Sequence, residues 1–131
     1  MTVPKSKRRE TKMQFVHNAR LIEDYCIRHW NERISTVLQE CIRLAAKIYN
    51  GVTIANSIYP DKDNQLQAEE RILYLKRALA TTYALKMQIS LATRHQLIDL
   101  NISKEINELI EREKILIKGI IKKDKERYRV T

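Results

Sequence analysis

Glycine and proline occur only twice each in this 131-residue chain, and phenylalanine and tryptophan once each. Small sandwiches and barrels turn every few residues and draw on glycine and proline to do so, so this scarcity argues against sheets. It also removes two chemistries, because the chain has neither a glycine-rich phosphate loop nor a Gly-x-Ser-x-Gly nucleophile turn. Two cysteines, Cys26 and Cys41, are too few for a disulfide scaffold, and both sit among apolar neighbours where buried, reduced thiols are expected. No apolar run reaches the roughly 18 residues of a membrane span. No apolar segment follows the basic start "MTVPKSKRRETK". The expectation is a cytoplasmic protein with no membrane contact. The chain carries no internal repeat and no low-complexity tract.

What is abundant favours helix: Leu, Ile, Ala, Lys, Arg, Glu and Gln lose little freedom in that conformation. The length is that of one domain, enough to bury roughly two thirds of the unfolded chain's surface. Apolar residues recur at three and four in four successive segments. In residues 11–29 they are Phe15, Val16, Ala19, Ile22 and Cys26, with Trp30 just beyond. Asn31 reads as the cap of a second helix carrying Ile34, Val37, Leu38, Cys41, Ile42, Ala45, Ile48, Tyr49, Val52 and Ala55. "RHWNERIST" between them has no Gly or Pro, so one long kinked helix is the competing reading.

The stretch "GVTIANSIYPDKDNQLQ" breaks the pattern. Tyr59 precedes Pro60, a position biased away from helix, and "PDKDN" supplies turn residues and a cap, so it reads as a hinge. Gly51 falls inside the second helix, where close approach of another helix is its expected reason. The third helix begins near Asn64 and has two apolar faces. Leu75, Ala78, Leu85, Ile89 and Ala92 form one, and Leu73, Ala80, Ala84, Met87 and Leu91 form its neighbour. A helix so built is covered from two directions, and the second set is the expected oligomer interface. The fourth helix, capped by Ser103 or by the competing Asn101, places Ile106, Leu109, Ile110, Leu116, Ile117, Ile120 and Ile121 within about 140° of arc. The fold expected is an all-α, antiparallel, up-down-up-down four-helix bundle over residues 11–128, preceded by a basic tail over residues 1–10.

Catalytic and metal signatures are missing. His17, His29 and His95 lack partners at metal-ligand spacing, and the Glu-x-x-His pattern of di-iron bundles is absent. Cys26 and His29 are three apart, which more often reflects packing than a nucleophile with its base. Small bundle ribonucleases place Arg and His four to six residues apart on one helix; Arg9 with His17, Arg20 with His29 and Arg94 with His95 do not fit. No enzyme activity and no cofactor are expected.

The basic residues carry more. A net charge of +9 arises from 25 basic and 16 acidic residues. Residues 1–12 hold five and one, residues 122–131 five and two, and the rest fifteen and thirteen, so the excess gathers at the two ends. Lys114, Lys118, Lys122, Lys125 and Arg129 follow at spacings of four, four, three and four, a cationic ridge beside the apolar stripe of the fourth helix. Cations spaced in this way meet successive phosphates, although they also suit a helix C-terminus in solvent. Lys123 adjoins the ridge, Lys7, Arg8 and Arg9 cluster near the start, and Arg43 and Lys47, with Arg77, form a shorter ridge beside Glu40. The tyrosines lie singly in the sequence, so binding directed at the nucleic-acid backbone, with little sequence preference, is the expectation.

"IANSIYPDKDNQLQAEERILYLKRALATTYALKMQISLATRHQLI" followed by "NISKEINELI" resembles the accessory variability determinant proteins of diversity-generating retroelements. More distantly it resembles bundle proteins encoded in intervening sequences of bacterial 23S ribosomal RNA genes. The likeness rests on Ala55-Asn56 before a polar hinge, the leucine-rich third helix, the Ile102-Ser103 turn and a fourth helix ending in Gly119 and lysines. It spans roughly residues 34–123. It implies a homopentameric barrel with a positive surface that binds template RNA, and DNA, and that associates with a dedicated reverse transcriptase without being catalytic. "RHWNERI" departs from the family's proline-containing loop before the second helix. Two other readings stay open: a bundle that docks on a protein through its third helix, and a helical subunit of an RNA-guided defence complex.

Overall fold

The structure, a computed structural model, describes residues 5–61 and 63–130, and of residues 5–12 the backbone alone. Its helices are α1 Lys5–Trp30, α2 Thr36–Ser57, α3 Gln65–Arg94 and α4 Leu100–Tyr128. At 22 to 30 residues each, they are rods of about 33–45 Å. Each packs on its neighbour in sequence and α4 closes onto α1, while the diagonal pairs stay apart. Cross-bonds show opposite directions along a pair: Arg71 meets Asp124, Lys86 meets Glu111, and Thr93 meets Ser103. The protein is therefore all-α, an antiparallel up-down-up-down four-helix bundle, and the described residues hold no strand. No helix among them is long and apolar enough to cross a membrane.

The core is made of the stripes that the three-and-four spacing predicts. Phe15, Ala19, Ile22, Cys26 and Trp30 meet Leu38, Cys41, Ala45, Ile48 and Val52, and α3 adds Leu75, Ala78, Leu85 and Ile89 opposite Ile106, Ile110 and Ile117. Gly51 sits where α2 crosses α3: a Cβ there would lie 3.4 Å from that of Ala78. This is close approach, with room for one methyl group.

Three boundaries differ from those expected. Helical backbone begins at Lys5, so six of the ten residues of the expected tail over residues 1–10 belong to α1. The cap of α2 is Ser35, not Asn31: its backbone is extended and its hydroxyl accepts from the Leu38 N–H at 3.3 Å. Gln39 then reaches back to donate to the carbonyls of Trp30 and Arg33 at 3.2 and 3.0 Å. A polar side chain from the second helix thus satisfies the end of the first, which separates the two without Gly or Pro and leaves Ile34 in solvent rather than on the α2 stripe. The cap of α4 is Asp99, whose Oδ1 accepts from the Ile102 N–H at 2.8 Å, and not Ser103 or Asn101. Ser103 lies buried one turn inside, its hydroxyl bonded to that of Thr93.

Before that cap, the joint after α3 turns on Gln96 in the left-handed conformation, φ 59°. The N–H groups of Gln96 and Leu97 turn back to the carbonyls of Thr93 and Ala92 at 3.1 and 2.9 Å. Two terminal carbonyls are satisfied by a turn through a residue that has no glycine freedom, so the short turn outweighs a local strain of about 1 kcal/mol.

At the opposite end Arg71 ties three helices together. Its Nε donates to Asp124 Oδ2 at 2.6 Å, and its Nη1 donates to the carbonyls of Ala55 and Ile58 at 2.8 and 3.3 Å. The two side chains are 14 % and 7 % exposed, so water replaces little of what they lose if separated. Arg71→Ala is expected to destabilise the fold by about 3–5 kcal/mol in urea titration, the range for stranding one member of a buried pair. Gly51→Ala is expected to raise stability by about 0.5–1 kcal/mol through helix propensity. Gly51→Val is expected to lower it by about 1–3 kcal/mol because a branched side chain overfills the crossing. Equal midpoints for these two variants would refute the close approach.

Candidate nucleic-acid interface

Antiparallel packing decides where the two basic ends of the chain meet. Asn18 of α1 donates to the Leu109 carbonyl of α4 at 2.9 Å, and Tyr25 donates to Glu105 Oε2 at 2.7 Å. Continued backwards, that register sets the backbone of the first two turns of α1 level with the last turns of α4. The α2–α3 joint lies at the same pole. Lys7, Arg8 and Arg9 have helical backbone there, and their side chains fall outside the described residues.

The ridge on α4 divides into two parts. Lys114 is drawn inward: its side chain is 11 % exposed, its Nζ donates to Glu111 Oε1 at 3.2 Å, and it lies 4.3 Å from the centre of the Tyr83 ring. Lys86 of α3 binds the same Glu111 oxygen at 2.6 Å. Hydrogen bonds from Lys86 and then Lys114 hold the Glu111 carboxyl below its usual range. The Lys118 ammonium beside the Tyr83 hydroxyl, with Lys114 behind it, lowers that phenol likewise. This cluster fastens α3 to α4 and takes Lys114 out of the set that can reach a phosphate. Beyond it, Lys118, Lys122, Lys123, Lys125, Arg127 and Arg129 form no ion pair among the described residues. All but Lys125, which is half-buried, are exposed over the last three turns of α4.

The shorter ridge is weaker than its spacing suggests. Arg43 Nε donates to Glu40 Oε2 at 2.8 Å, so its charge is largely answered on its own helix, and that bond holds Glu40 below its usual range. Lys47 and Arg77 are exposed and form no ion pair among the described residues. Of the five residues expected at an oligomer interface, Leu73, Ala80 and Met87 are exposed, Met87 at 73 %, while Ala84 and Leu91 are half-buried. Their spacing of seven, four, three and four is that of a coiled-coil seam.

Sequence reasoning missed the hinge pole as a site. A cavity of about 170 Å³ opens there between the α2 end, the joint and α4, lined by Asn56, Tyr59, Arg71, Lys123, Arg127 and Tyr128 among others. Tyr59 and Tyr128 lie singly in the sequence, and only the antiparallel register brings them to one cleft. The position of Tyr59 beside Pro60, exposed in a hinge, was the one signal available.

No family model, no curated protein and no solved structure matches this chain. The resemblance to accessory variability determinants therefore stands on the residues that carry it, and the site is read from its own chemistry. That chemistry is electrostatic. Cys26 faces the core, where burial pushes its thiol well above the ordinary range, and burial pushes Cys41 up to about 12. His29 is turned away to stack on Tyr25 at 4.0 Å with Nδ1 hydrogen-bonded to the Tyr25 carbonyl, so the Cys26–His29 spacing makes no thiolate pair. Among the described residues no three of His, Cys, Asp and Glu gather as metal ligands.

One buried acid falls on the core stripe of α4, at the three-and-four spacing of Ile106, Ile110 and Ile117. Glu113 is fully enclosed in α4, and neither carboxyl oxygen makes a hydrogen bond, although the Asn18 amide, committed to Leu109, lies near enough to favour its charge slightly. Burial outweighs that help and the Arg112 charge, and raises the carboxyl to about 8. The folded state thus prefers the protonated acid, while the unfolded chain releases its proton near the ordinary 4.5. Stability is full below that value and is lost as pH rises towards about 8, at up to about 1.4 kcal/mol per unit. Glu113→Gln removes the titration, so its stability relative to the parent, measured by denaturant unfolding, is expected to climb from pH 5 to pH 8 and then level off. A constant difference across that range would show that Glu113 ionises as readily in the fold as in the unfolded chain, and would refute the raised carboxyl.

Proposed function

We propose that this protein is a non-catalytic, sequence-tolerant nucleic-acid-binding subunit whose contact surface is the pole where α4 ends. The observation that carries the reading is the run of exposed cations from Lys118 to Arg129, without ion pairs among the described residues, at the pole that also receives the basic start of the chain. Cations without carboxylate partners keep mobile counterions that a phosphate backbone releases on binding, a driving force indifferent to base sequence.

Through the resemblance, the reading extends to an accessory subunit of a diversity-generating retroelement reverse transcriptase, needed for mutagenic cDNA synthesis on a template RNA. Self-association through the exposed seam of Leu73, Ala80 and Met87 on α3, as a homopentamer, belongs to the same proposal. A docking module for another protein is the competing reading, favoured by the same exposed Leu73 and Met87. In that case the basic pole is dispensable.

Fluorescence anisotropy with labelled RNA and DNA over a range of salt separates the two. Affinity is expected to fall steeply with salt. The double variant Lys118→Glu with Lys122→Glu is expected to weaken binding on every sequence and to reduce the log–log salt slope by about 1 per removed contact. Lys114 is left in place because it holds Glu111. Affinity indifferent to salt, or unchanged in the double variant, would leave the docking module. Light scattering for mass and co-purification with a neighbouring reverse transcriptase address the wider proposal.

A further inference from the structure

The cavity at the hinge pole combines features that a backbone-only binder does not need. Arg71, Lys123 and Arg127 line it against one carboxylate, Asp124, which is already bonded to Arg71. Tyr59, 79 % exposed on the joint, and Tyr128, half-buried at the end of α4, line it as well. Among the described residues the stacked or edge-on aromatic pairs are those of Tyr25 with His29 and Trp30, so Tyr59 and Tyr128 do not occupy one another's faces. Asn56 adds an amide with both donor and acceptor. At about 170 Å³ the cavity is well below the roughly 300–1,000 Å³ of a pocket for a whole drug-sized ligand, so it suits one planar ring.

We infer that this cleft holds one unpaired nucleotide of a single-stranded nucleic acid, its base against tyrosine and its phosphate against Lys123 and Arg127. The inference rests on the nucleic-acid-binding reading and deepens it, because it adds a preference for unpaired strands that charge alone does not provide. In a duplex the base is stacked on its neighbours and cannot enter. Stacking accepts any base, so the site keeps the sequence tolerance of the ridge. The strand leaves along α4, since Arg127 and Arg129 share the adjoining outer groove with Asp61 and Asp63, whose charges repel phosphate from the opposite wall. Stacking on tyrosine and contact with a phosphate do not depend on the ribose hydroxyl, so RNA and DNA strands are expected to bind alike.

The test compares a short labelled RNA strand, the same strand as DNA, an abasic DNA strand of equal length and a blunt duplex. The parent protein is expected to bind both strands with bases more tightly than the abasic strand or the duplex. Tyr59→Ala, at an exposed position whose loss leaves the core intact, is expected to weaken binding of the strands with bases about tenfold. It should leave the abasic strand and the duplex unchanged, and Tyr59→Phe should bind like the parent. If the parent binds all strands with the same salt dependence, and Tyr59→Ala changes nothing or weakens all alike, the cleft is overturned while the cationic pole stands. If the parent binds no strand, both readings fall together. RNA bound much more tightly than DNA in a manner abolished by Tyr59→Ala would overturn the claim that base stacking alone fills the cleft.

Discussion

Joints of five to seven residues connect helices of 22 to 30, and so little chain between rods so long returns each helix along the one before it. That constraint governs the rest of the molecule. It sets the backbone of the first turns of α1, the α2–α3 joint and the last turns of α4 at one pole, and so brings together stretches from opposite ends of the sequence. A pole assembled from like charges repels itself, and what holds it is buried polar bonding. Arg71 satisfies the carbonyl end of α2 and the inward carboxylate of α4 with one guanidinium. Three helices share that group, so the pole stays closed while its outer cations face solvent.

The same geometry sorts the lysines of α4 into two roles. Lys114 lies nearer the core face of its helix and folds onto Tyr83 and Glu111, Lys118 reaches the Tyr83 hydroxyl, and Lys122 and Lys123 beyond it are exposed and form no ion pair among the described residues. Charge that is answered inside the fold stiffens the α3–α4 contact. Charge that is left unanswered is available to a partner, and its location defines the binding face. Glu113 shows the opposite balance, an acid enclosed without a partner, so its seam with α1 is most stable with the proton retained.

Fold class and core stripes were legible in the sequence because burial on one face of a helix imprints a spacing of three and four that no other element reproduces, whereas the break between α1 and α2 was not. Phe15, Ile22, Leu75, Ile89 and Ile110 were readable in this way and all are buried. The caps at Ser35 and Asp99 were not, because several Ser, Asn and Asp residues near each joint are chemically able to cap. The choice among them depends on which side chain the core takes inward: Ser103 goes in beside Thr93, so Asp99 is left to cap. Ile34 was misread for the same reason, since it has a hydrophobe's spacing and sits in a joint.

The amino-acid sequence by itself determined an all-helical chain, the order of its apolar stripes, and an excess of positive charge near both ends, for these are properties of neighbours along the chain. Only the tertiary structure decided that the backbone of the first turns of α1 lies level with the last turns of α4, that Lys114 is spent on Glu111 while Lys122 is not, and that Tyr59 and Tyr128 share a cleft with Lys123 and Arg127. Those facts join residues far apart in sequence, and their distances are set by helix length and packing register, quantities that no local pattern of residues contains.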